Sequence, residues 1–482
     1  MKKSRFGRVL GTLVAIVAVV VIGGWAYVTH TPSSPFDPGG AADKPGLDTT
    51  SAQLIQRGEY VARASDCVAC HSVPDQPPFS GGLAMATPLG SIYTTNITPD
   101  KTTGIGAYTL AEFDRAMRHG VARAGHRLYP AMPYPSYVKL GDDDVRALYA
   151  YFMHSVQPVR QENRPNGIEW PLNMRWPLAL WNLAFAPSGT YQAKSGPQAA
   201  TGTGSVSTST SAPAQTADGN STLWNRGAYL VQSAGHCGSC HTARGAAFNE
   251  KAFDESSPHY LAGALLDGWY APSLRNDPNT GLGRWTEADV YQFLKTGRNQ
   301  HAVVFGSMTD VINNSTQFMT DEDLKAIAHY LKSLPGSPER DGPPWKYDAS
   351  SNQALALDQR LKVPGAQTFA ARCSACHGAE GRGQAPWIPP LAGAASSMSK
   401  EDASSINVTL NGSGRIVANG MPDAYRMPPF RTQMSDKEIA DVLTFVRTAW
   451  GNQGGAVTVD AVKDLRKRTD PASSEVIILQ MR

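Results

Sequence analysis

Apolar residues recur every three or four positions in several segments of this chain, which is the period of a helix with one buried face. The pattern is clearest at three places: DDDVRALYAYFMHSV at 142–156, TDEDLKAIAHYLKSL at 320–334 and SDKEIADVLTFVRTAW at 435–450. No run of alternating apolar and polar residues stands out as a strand. The pattern therefore predicts an all-α chain in which a closing amphipathic helix occurs three times.

Two pairs of segments repeat along the chain. RGEYVARASDCVACH at 57–71 is similar to RGAYLVQSAGHCGSCH at 226–241, and TGIGAYTLAEFDRAMRHG at 103–120 aligns without a gap with TGLGRWTEADVYQFLKTG at 280–297. A capping box, in which the first and fourth residues bond each other's backbone, is predicted at three helix starts: Thr109 with Glu112, Thr286 with Asp289, and Ser435 with Glu438. We also expect Gly58 and Gly227 to let the first helix of each repeat pack against the aromatic residues of the last.

Composition divides the chain into segments. The stretch at 190–220 is rich in Ser, Thr, Ala and Gly, which is the composition of a flexible linker. A Pro/Gly-rich break lies near 334–345. The length of 482 residues suits about three domains. The predicted order is an anchor at 9–28, a first domain at 50–188, a linker at 189–220, domains at 221–337 and 360–452, and a polar tail at 453–482.

The amino terminus predicts a membrane anchor. Four basic residues precede 20 uncharged residues at 9–28, a run long enough to span a bilayer and too long for the core of a typical cleaved signal peptide. The positive-inside rule puts the basic end in the cytoplasm and the remainder of the chain outside it. Because those four residues account for +4 of the net charge of +3, the rest sums to −1, and nothing in it indicates nucleic-acid binding.

All six cysteines fall in three CxxCH motifs: Cys67, Cys70 and His71; Cys237, Cys240 and His241; and Cys373, Cys376 and His377. Chance would give roughly 0.002 such motifs in a chain of this composition, and the spacing is that of covalent haem c attachment. The two thiols add to the haem vinyl groups, and the histidine is placed to bind the iron. A structural zinc site needs four ligands and a redox dithiol needs a βαβ context, so both fit poorly. Three covalently bound haem c groups are predicted.

The second axial ligand is expected from a methionine between each CxxCH motif and the closing helix. Met132 and Met308 lie at matching places, 12 and 11 residues after the glycines that end the preceding helices. We expect a rigid non-helical loop to present the sulfur, which in the third domain favours Met427, followed by proline, over Met421 and Met434. His236 and His301 are alternatives in the second domain, although we expect both at the surface or beside a propionate. Arg298 is either a propionate partner or a surface residue.

These motifs, together with ITPDKTTGIG, LYPAMPYPSY and FGSM followed by NNSTQ, resemble the triple-haem cytochrome c subunit of membrane-bound bacterial dehydrogenases for alcohol, gluconate, fructose or aldehyde. The resemblance covers about 55–450. It implies three tandem class I cytochrome c domains with axial pairs His71–Met132, His241–Met308 and His377–Met427. It also implies a catalytic subunit of flavin, pyrroloquinoline quinone (PQQ) or molybdenum type as electron donor, and ubiquinone or another respiratory-chain component as acceptor. Some family members attach through a carboxy-terminal segment, whereas here the amino terminus is apolar.

The expected location follows from the chemistry, because haem c is attached outside the bacterial cytoplasm. We expect a single span in the cytoplasmic membrane with the haem domains on the periplasmic side. The chain is expected to carry electrons rather than to catalyse a reaction alone. Two alternatives stay open: direct donation to a terminal oxidase, and a haem enzyme such as a peroxidase if one iron has an open site.

Overall fold

A computed structural model describes residues 48–194 and 219–470, except 267, together with five isolated helical positions between 12 and 23. Most of the predicted anchor at 9–28 and of the linker at 189–220 lies outside the described residues, as does the end of the tail. Within the described part, no helix is both long and apolar enough to cross a membrane.

The first unit, at 50–188, contains six described helices and one hairpin. The predicted capping box is present at the start of its middle helix, which ends where Gly120 takes a positive φ of 62°. The elements in chain order are α1 (Ala52–Ala64), α2 (Cys67–His71), β1 (Ala84–Thr87), β2 (Gly90–Tyr93), α3 (Leu110–His119), α4 (Tyr134–Tyr137), α5 (Asp142–His154) and α6 (Pro177–Phe185).

The second unit, at 221–337, repeats this order. Its middle helix also begins with the predicted capping box and ends at a glycine with a positive φ, Gly297. The elements are α7 (Gly219–Gln232), α8 (Gly238–His241), β3 (Ala264–Leu266), β4 (Trp269–Ala271), α9 (Glu287–Thr296), α10 (Met308–Asn314), a 3₁₀ turn (Thr316–Phe318) and α11 (Asp321–Ser333), with α12 (Pro338–Asp341) following.

The third unit, at 360–452, has a different order and is extended by the segments on either side. Residues 459–468 of the predicted tail form a helix that packs on the unit and buries Val462 and Leu465. The elements are a 3₁₀ segment (Ala349–Leu355), α13 (Ala366–Arg372), α14 (Ser374–His377), α15 (Ala395–Met398), α16 (Ala403–Asn411), β5 (Val417–Ala418), β6 (Met421–Pro422), α17 (Asp436–Thr448), a 3₁₀ turn (Ala449–Gly451) and α18 (Val459–Arg468).

The described chain is mostly helical, but it also contains three two-stranded antiparallel hairpins that an all-α prediction omits. Their strands are two to four residues long. Runs that short cannot show an alternating pattern, so a periodicity argument passes over them.

Close contact between the opening helix and the closing amphipathic helix, α1 with α5 and α7 with α11, defines the first two units. A Cβ atom at Gly58 of α1 would lie 1.9 Å from the Ala147 carbonyl oxygen of α5, and one at Gly227 of α7 would lie 2.0 Å from that of Ala326 of α11. The two helix pairs therefore cross at backbone contact, as the sequence predicted, and only glycine fits there.

Each of the first two units donates one tyrosine hydrogen bond to an aspartate of the other unit. Asp144 of α5 accepts from Arg57 of its own unit at 2.9 Å and from the Tyr229 hydroxyl of the second unit. The same arrangement recurs at Asp323 of α11, whose partners are Arg226 at 2.7 Å and Tyr60 of the first unit at 2.5 Å. This reciprocal pattern relates the two units by an approximate two-fold axis, and one continuous hydrophobic core runs through both of them.

The third unit has a core of its own, centred on Phe369, Ile439 and Trp450. Its contact with the second unit combines a small apolar cluster, in which Ile416 packs against Val304 and Ile312, with polar bonds. Arg298, which follows α9, forms a buried ion pair with Asp423 at 2.5 Å, and Asn407 donates to the Gly268 carbonyl at 3.0 Å. The described core therefore forms two large bodies, the first spanning two of the predicted domains.

We predict that Gly58→Ala destabilises the protein, because its Cβ atom would overlap the α5 backbone. The free energy of unfolding should fall by about 3 kcal/mol, as for other overpacked sites, in a denaturant titration of the haem-loaded protein. Gly167→Ala is the control, since its Cβ would meet no atom closer than 3.7 Å. Equal stability of the two variants would contradict the helix contact.

A second prediction concerns Asp423→Asn, which leaves the Arg298 guanidinium charged in a buried place. Removing one partner of a buried pair costs about 3 kcal/mol, and a denaturant titration should detect this loss. Glu380→Gln breaks the pair between Arg382 and Glu380, whose side chains are exposed, and should change stability little. If both variants lost the same stability, the Arg298–Asp423 contact would not hold the units together.

Candidate haem-attachment sites

Each CxxCH motif forms or adjoins a single helical turn. The turn is α2 in the first unit, whereas α8 and α14 begin directly after the first cysteine of their motifs. None of the six cysteines forms a disulfide bond. Burial raises the pKa of Cys67 and Cys237 to about 12 and that of Cys373 to about 11. Thiols that burial holds neutral are poorly suited to ligate a metal as thiolates.

The motif histidines are held in one orientation in all three units. The Nδ1 atom of His71 lies 2.7 Å from the Thr95 carbonyl oxygen. The equivalent distances are 2.7 Å from His241 to Pro272 and 3.0 Å from His377 to Pro389. A ring that donates from Nδ1 to a carbonyl keeps Nε2 unprotonated and free to bind a metal. The arrangement therefore fits axial ligation of a haem iron in each unit.

The electrostatic environment agrees with this arrangement. Burial lowers the pKa of His71, His241 and His377, and the hydrogen bond to the carbonyl opposes this only in part. The imidazoles are thus neutral at neutral pH, which is the form that binds iron.

The short hairpins supply the carbonyl groups in two units. Thr95 follows β2, and Pro272 follows β4. The hairpin brings the carbonyl back to the histidine ring across 24 residues of chain in the first unit and across 31 in the second. In the third unit the separation is 12 residues, and a bridge between Gln384 and Ile388 closes the loop instead. The residues that supply the accepting carbonyl differ in type, because only their backbone atoms are used.

A glycine completes each site, and sequence reasoning missed all three. The backbone N–H groups of Gly81, Gly263 and Gly383 each donate to the carbonyl of their motif histidine at 2.8 Å. All three glycines have positive φ angles. Because they follow the histidines by different numbers of residues, no common spacing marks them; only the excess of glycine after each motif could have drawn notice.

Met132 and Met308 lie in different kinds of backbone, although their places in the sequence match. Met132 lies in the turn before α4, half-buried against the core cluster that also contacts Cys67. Met308 is the first residue of α10, so the expected non-helical loop is wrong in the second unit. That loop ends one residue earlier, at Ser307, which occupies the N-cap position of the helix. Ligation by Met132 and Met308 stays a prediction.

The three methionines of the third unit have distinct surroundings. Met434 is buried in the hydrophobic core, and Met421 of β6 is 75% exposed. Met427 is half-buried in non-helical backbone, and Ser413 holds it through hydrogen bonds to its N–H at 2.9 Å and its carbonyl at 3.0 Å. This placement favours Met427, whose role stays a prediction.

The alternative ligands of the second unit have other partners. His236 is half-buried rather than fully at the surface, with Nε2 3.3 Å from the Ser65 carbonyl of the first unit, and a place beside a propionate stays a prediction. His301 stacks on Trp285 with ring centroids 5.3 Å apart. Arg298 is bound to Asp423 rather than lying at the surface.

The first two attachment motifs lie side by side. Tyr137 and His236 both contact the Ser65 carbonyl, two residues before Cys67. Helix α10 packs against α2. Burial raises the pKa of Cys70 to about 12, with smaller contributions from Asp66 and from Cys240 of the second motif. The shared core thus brings two attachment sites close together.

Comparison with known proteins agrees with this chemistry. The Cytochrome c family model matches residues 225–335 and 363–450, in the second and third units. The chain is 48% identical over 430 residues, 89% of it and 87% of the relative, to the cytochrome c subunit of alcohol dehydrogenase (quinone) from Gluconacetobacter polyoxogenes. It is 45% identical to the gluconate 2-dehydrogenase cytochrome c subunit of Pantoea cypripedii, covering 87% of this chain and 91% of that one. It is 35% identical to the fructose dehydrogenase cytochrome subunit of Gluconobacter japonicus, covering 86% and 82%.

The hydrogen bond to the histidine ring can be tested at Gly383. A Cβ atom there would lie 2.5 Å from the Pro389 carbonyl oxygen, which holds His377. Gly383→Ala should displace that oxygen, make the imidazole a weaker base and raise the reduction potential of one haem, as a redox titration would show. Gly378→Ala is the control, because Gly378 also has a positive φ but no atom within 4 Å of its Cβ position. Identical shifts in both variants would attribute the effect to backbone strain alone.

Proposed function

Because this chain belongs to the family of cytochrome c subunits of alcohol, gluconate and fructose dehydrogenases, we propose that it is a membrane-anchored electron carrier with three covalently bound haem c groups. It accepts electrons from the catalytic subunit of a periplasmic dehydrogenase and passes them to ubiquinone or another respiratory-chain acceptor. The substrate of the catalytic subunit differs among the relatives, and its cofactor is of flavin, PQQ or molybdenum type.

The observation that carries the haem number is the repetition of one local arrangement. In each unit a CxxCH turn, a carbonyl at the histidine Nδ1 and a glycine N–H at the histidine carbonyl occur together. The first unit lies outside the residues matched by the family model, yet it has the same arrangement as the other two. This supports three haem sites rather than two.

The protein residues have separate tasks in electron transfer. When bound, haem c supplies a one-electron couple. The cysteines would fix the group covalently, and the histidine Nε2 would bind its iron. Donation from Nδ1 to a carbonyl strengthens that ligand, whereas a methionine sulfur as the second ligand favours the reduced state and raises the potential. Two strong ligands would leave the iron no open position, and each site would then suit electron transfer rather than catalysis.

The packing of the units supports transfer along the chain. Helix α10 contacts α2 of the first unit, and its Asn313 bonds the third unit at the Arg415 carbonyl and the Val417 N–H, at 3.0 and 2.9 Å. One helix of the second unit thus lies between the other two. A fixed arrangement is what rapid exchange between haems requires, because no diffusion of domains has to precede each step.

Membrane attachment and location are supported by the sequence. The uncharged run at 9–28 follows four basic residues, which favours a single span in the cytoplasmic membrane with the haem units on the periplasmic side. Ubiquinone is dissolved in that membrane, so an anchored chain would meet its acceptor there.

Methionine ligation gives the sharpest test of this function. Met132→Leu, Met308→Leu and Met427→Leu, made singly, should each convert one haem of three to the high-spin state and lower its potential, because leucine offers no ligand. The absorption spectrum of the oxidised protein, through its weak methionine-to-iron band, and a redox titration would measure both effects.

Met421→Leu and Met434→Leu are the matched controls in the third unit and should leave all haems low-spin. Loss of the band in Met421→Leu with no change in Met427→Leu would contradict the assignment of the third ligand. A parent protein that binds carbon monoxide at one haem would favour the haem-enzyme alternative.

A further inference from the structure

Large apolar side chains are concentrated on the surface of the first unit at residues 170–185, which we call the apolar segment. Trp170 is 77% exposed, Leu183 is 65% exposed, and five further residues are exposed: Leu172, Met174, Trp176, Leu180 and Phe185. Single exposed apolar residues are common on protein surfaces, but a continuous group of this size marks an interaction site.

The apolar segment is a fixed part of the fold. Arg175 donates to the Arg127 carbonyl at 2.9 Å, and its guanidinium carbon lies 3.8 Å from the centre of the Tyr129 ring. Asn182 of α6 accepts from the Tyr134 hydroxyl at 2.6 Å, and the Trp181 indole N–H donates to the Ala247 carbonyl of the second unit. The polar groups thus point inward and hold the segment, while the apolar side chains are presented to the surroundings.

The distribution of exposure indicates the kind of partner. Leu183 and Phe185 are two positions apart in α6, so they point to nearly opposite sides of the helix, and both are exposed. Ala179 is the single buried residue of that helix. A helix that lies in the interfacial region of a bilayer buries its apolar face there, and the wide exposed apolar face of α6 suits such burial.

Composition and position favour the bilayer further. Between 170 and 188 Arg175 is the sole charged residue, and its charge is held against Tyr129. The segment offers no charge pattern that a protein partner could complement, and tryptophan is enriched where proteins enter the membrane interface. The apolar run at 9–28 is joined to the first unit by about 20 residues, which keeps this unit near the membrane surface.

We propose that the apolar segment inserts into the interfacial region of the lipid bilayer and is a second membrane contact of the chain. The inference rests on the proposed membrane anchoring. Because Tyr129 and Tyr134 flank Met132 and hold the segment, this contact would place the methionine loop of the first unit directly at the bilayer.

The test uses a nitroxide label in the full-length, haem-loaded protein reconstituted with phosphatidylcholine vesicles, with and without phosphatidylglycerol. Leu183→Cys carries the label, and Leu361→Cys, at a residue 80% exposed at the start of the third unit, is the matched control. The parent protein should take up no label if its six cysteines are bound to haem. Flotation with the vesicles reports anchoring, and collision rates with oxygen and a water-soluble nickel chelate report the surroundings of each label.

The expected result is a severalfold rise in the ratio of oxygen to nickel-chelate collisions at position 183 on adding vesicles, with no change at position 361. The rise should be the same with and without the anionic lipid, because the segment carries one charge. If the protein floats with the vesicles but the label at position 183 shows no change, the bilayer contact of the apolar segment is wrong and the membrane anchor is not. If the protein does not float, both the anchor and the bilayer contact are wrong. A label at 183 that is shielded by the catalytic subunit in detergent, but not by vesicles, would identify a protein partner and overturn the bilayer contact.

Discussion

An imidazole that binds iron through Nε2 must have its other nitrogen held, or the ring turns and its basicity varies. In this protein a backbone carbonyl holds each motif histidine, at 2.7 Å for His71 and His241 and at 3.0 Å for His377. Much of the local structure exists to bring that oxygen into place: a hairpin in two units, a closed loop in the third. Since only the backbone is used, the supporting sequence varies while the geometry recurs.

The reciprocal contacts between the first two units fix the haem-attachment sites of these units relative to each other. Asp144 and Asp323 each bind an arginine of their own unit and a tyrosine of the other. A shift of one closing helix would therefore disturb the opening helices of both units. Together with the shared core, this holds the two attachment sites at a constant separation, which suits repeated one-electron exchange better than independent domains would.

Local chemistry in this chain could be predicted from the sequence, and contacts between distant segments could not. The attachment motifs and the capping box at Thr109 depend on residues within a few positions of each other, so their spacing reveals them. The Thr95 carbonyl carries no side-chain signal, and the bond from Tyr60 to Asp323 joins residues 263 positions apart. The helical position of Met308 was missed because a loop and a short helix start differ little in sequence.

We propose that each chain carries three haem c groups, each with two axial ligands. Mass measurement of the intact protein, combined with a carbon monoxide difference spectrum of its reduced form, tests this most directly. The account predicts a mass increased by three haem groups and no carbon monoxide complex. Two haems per chain, or one iron that binds carbon monoxide, would contradict it.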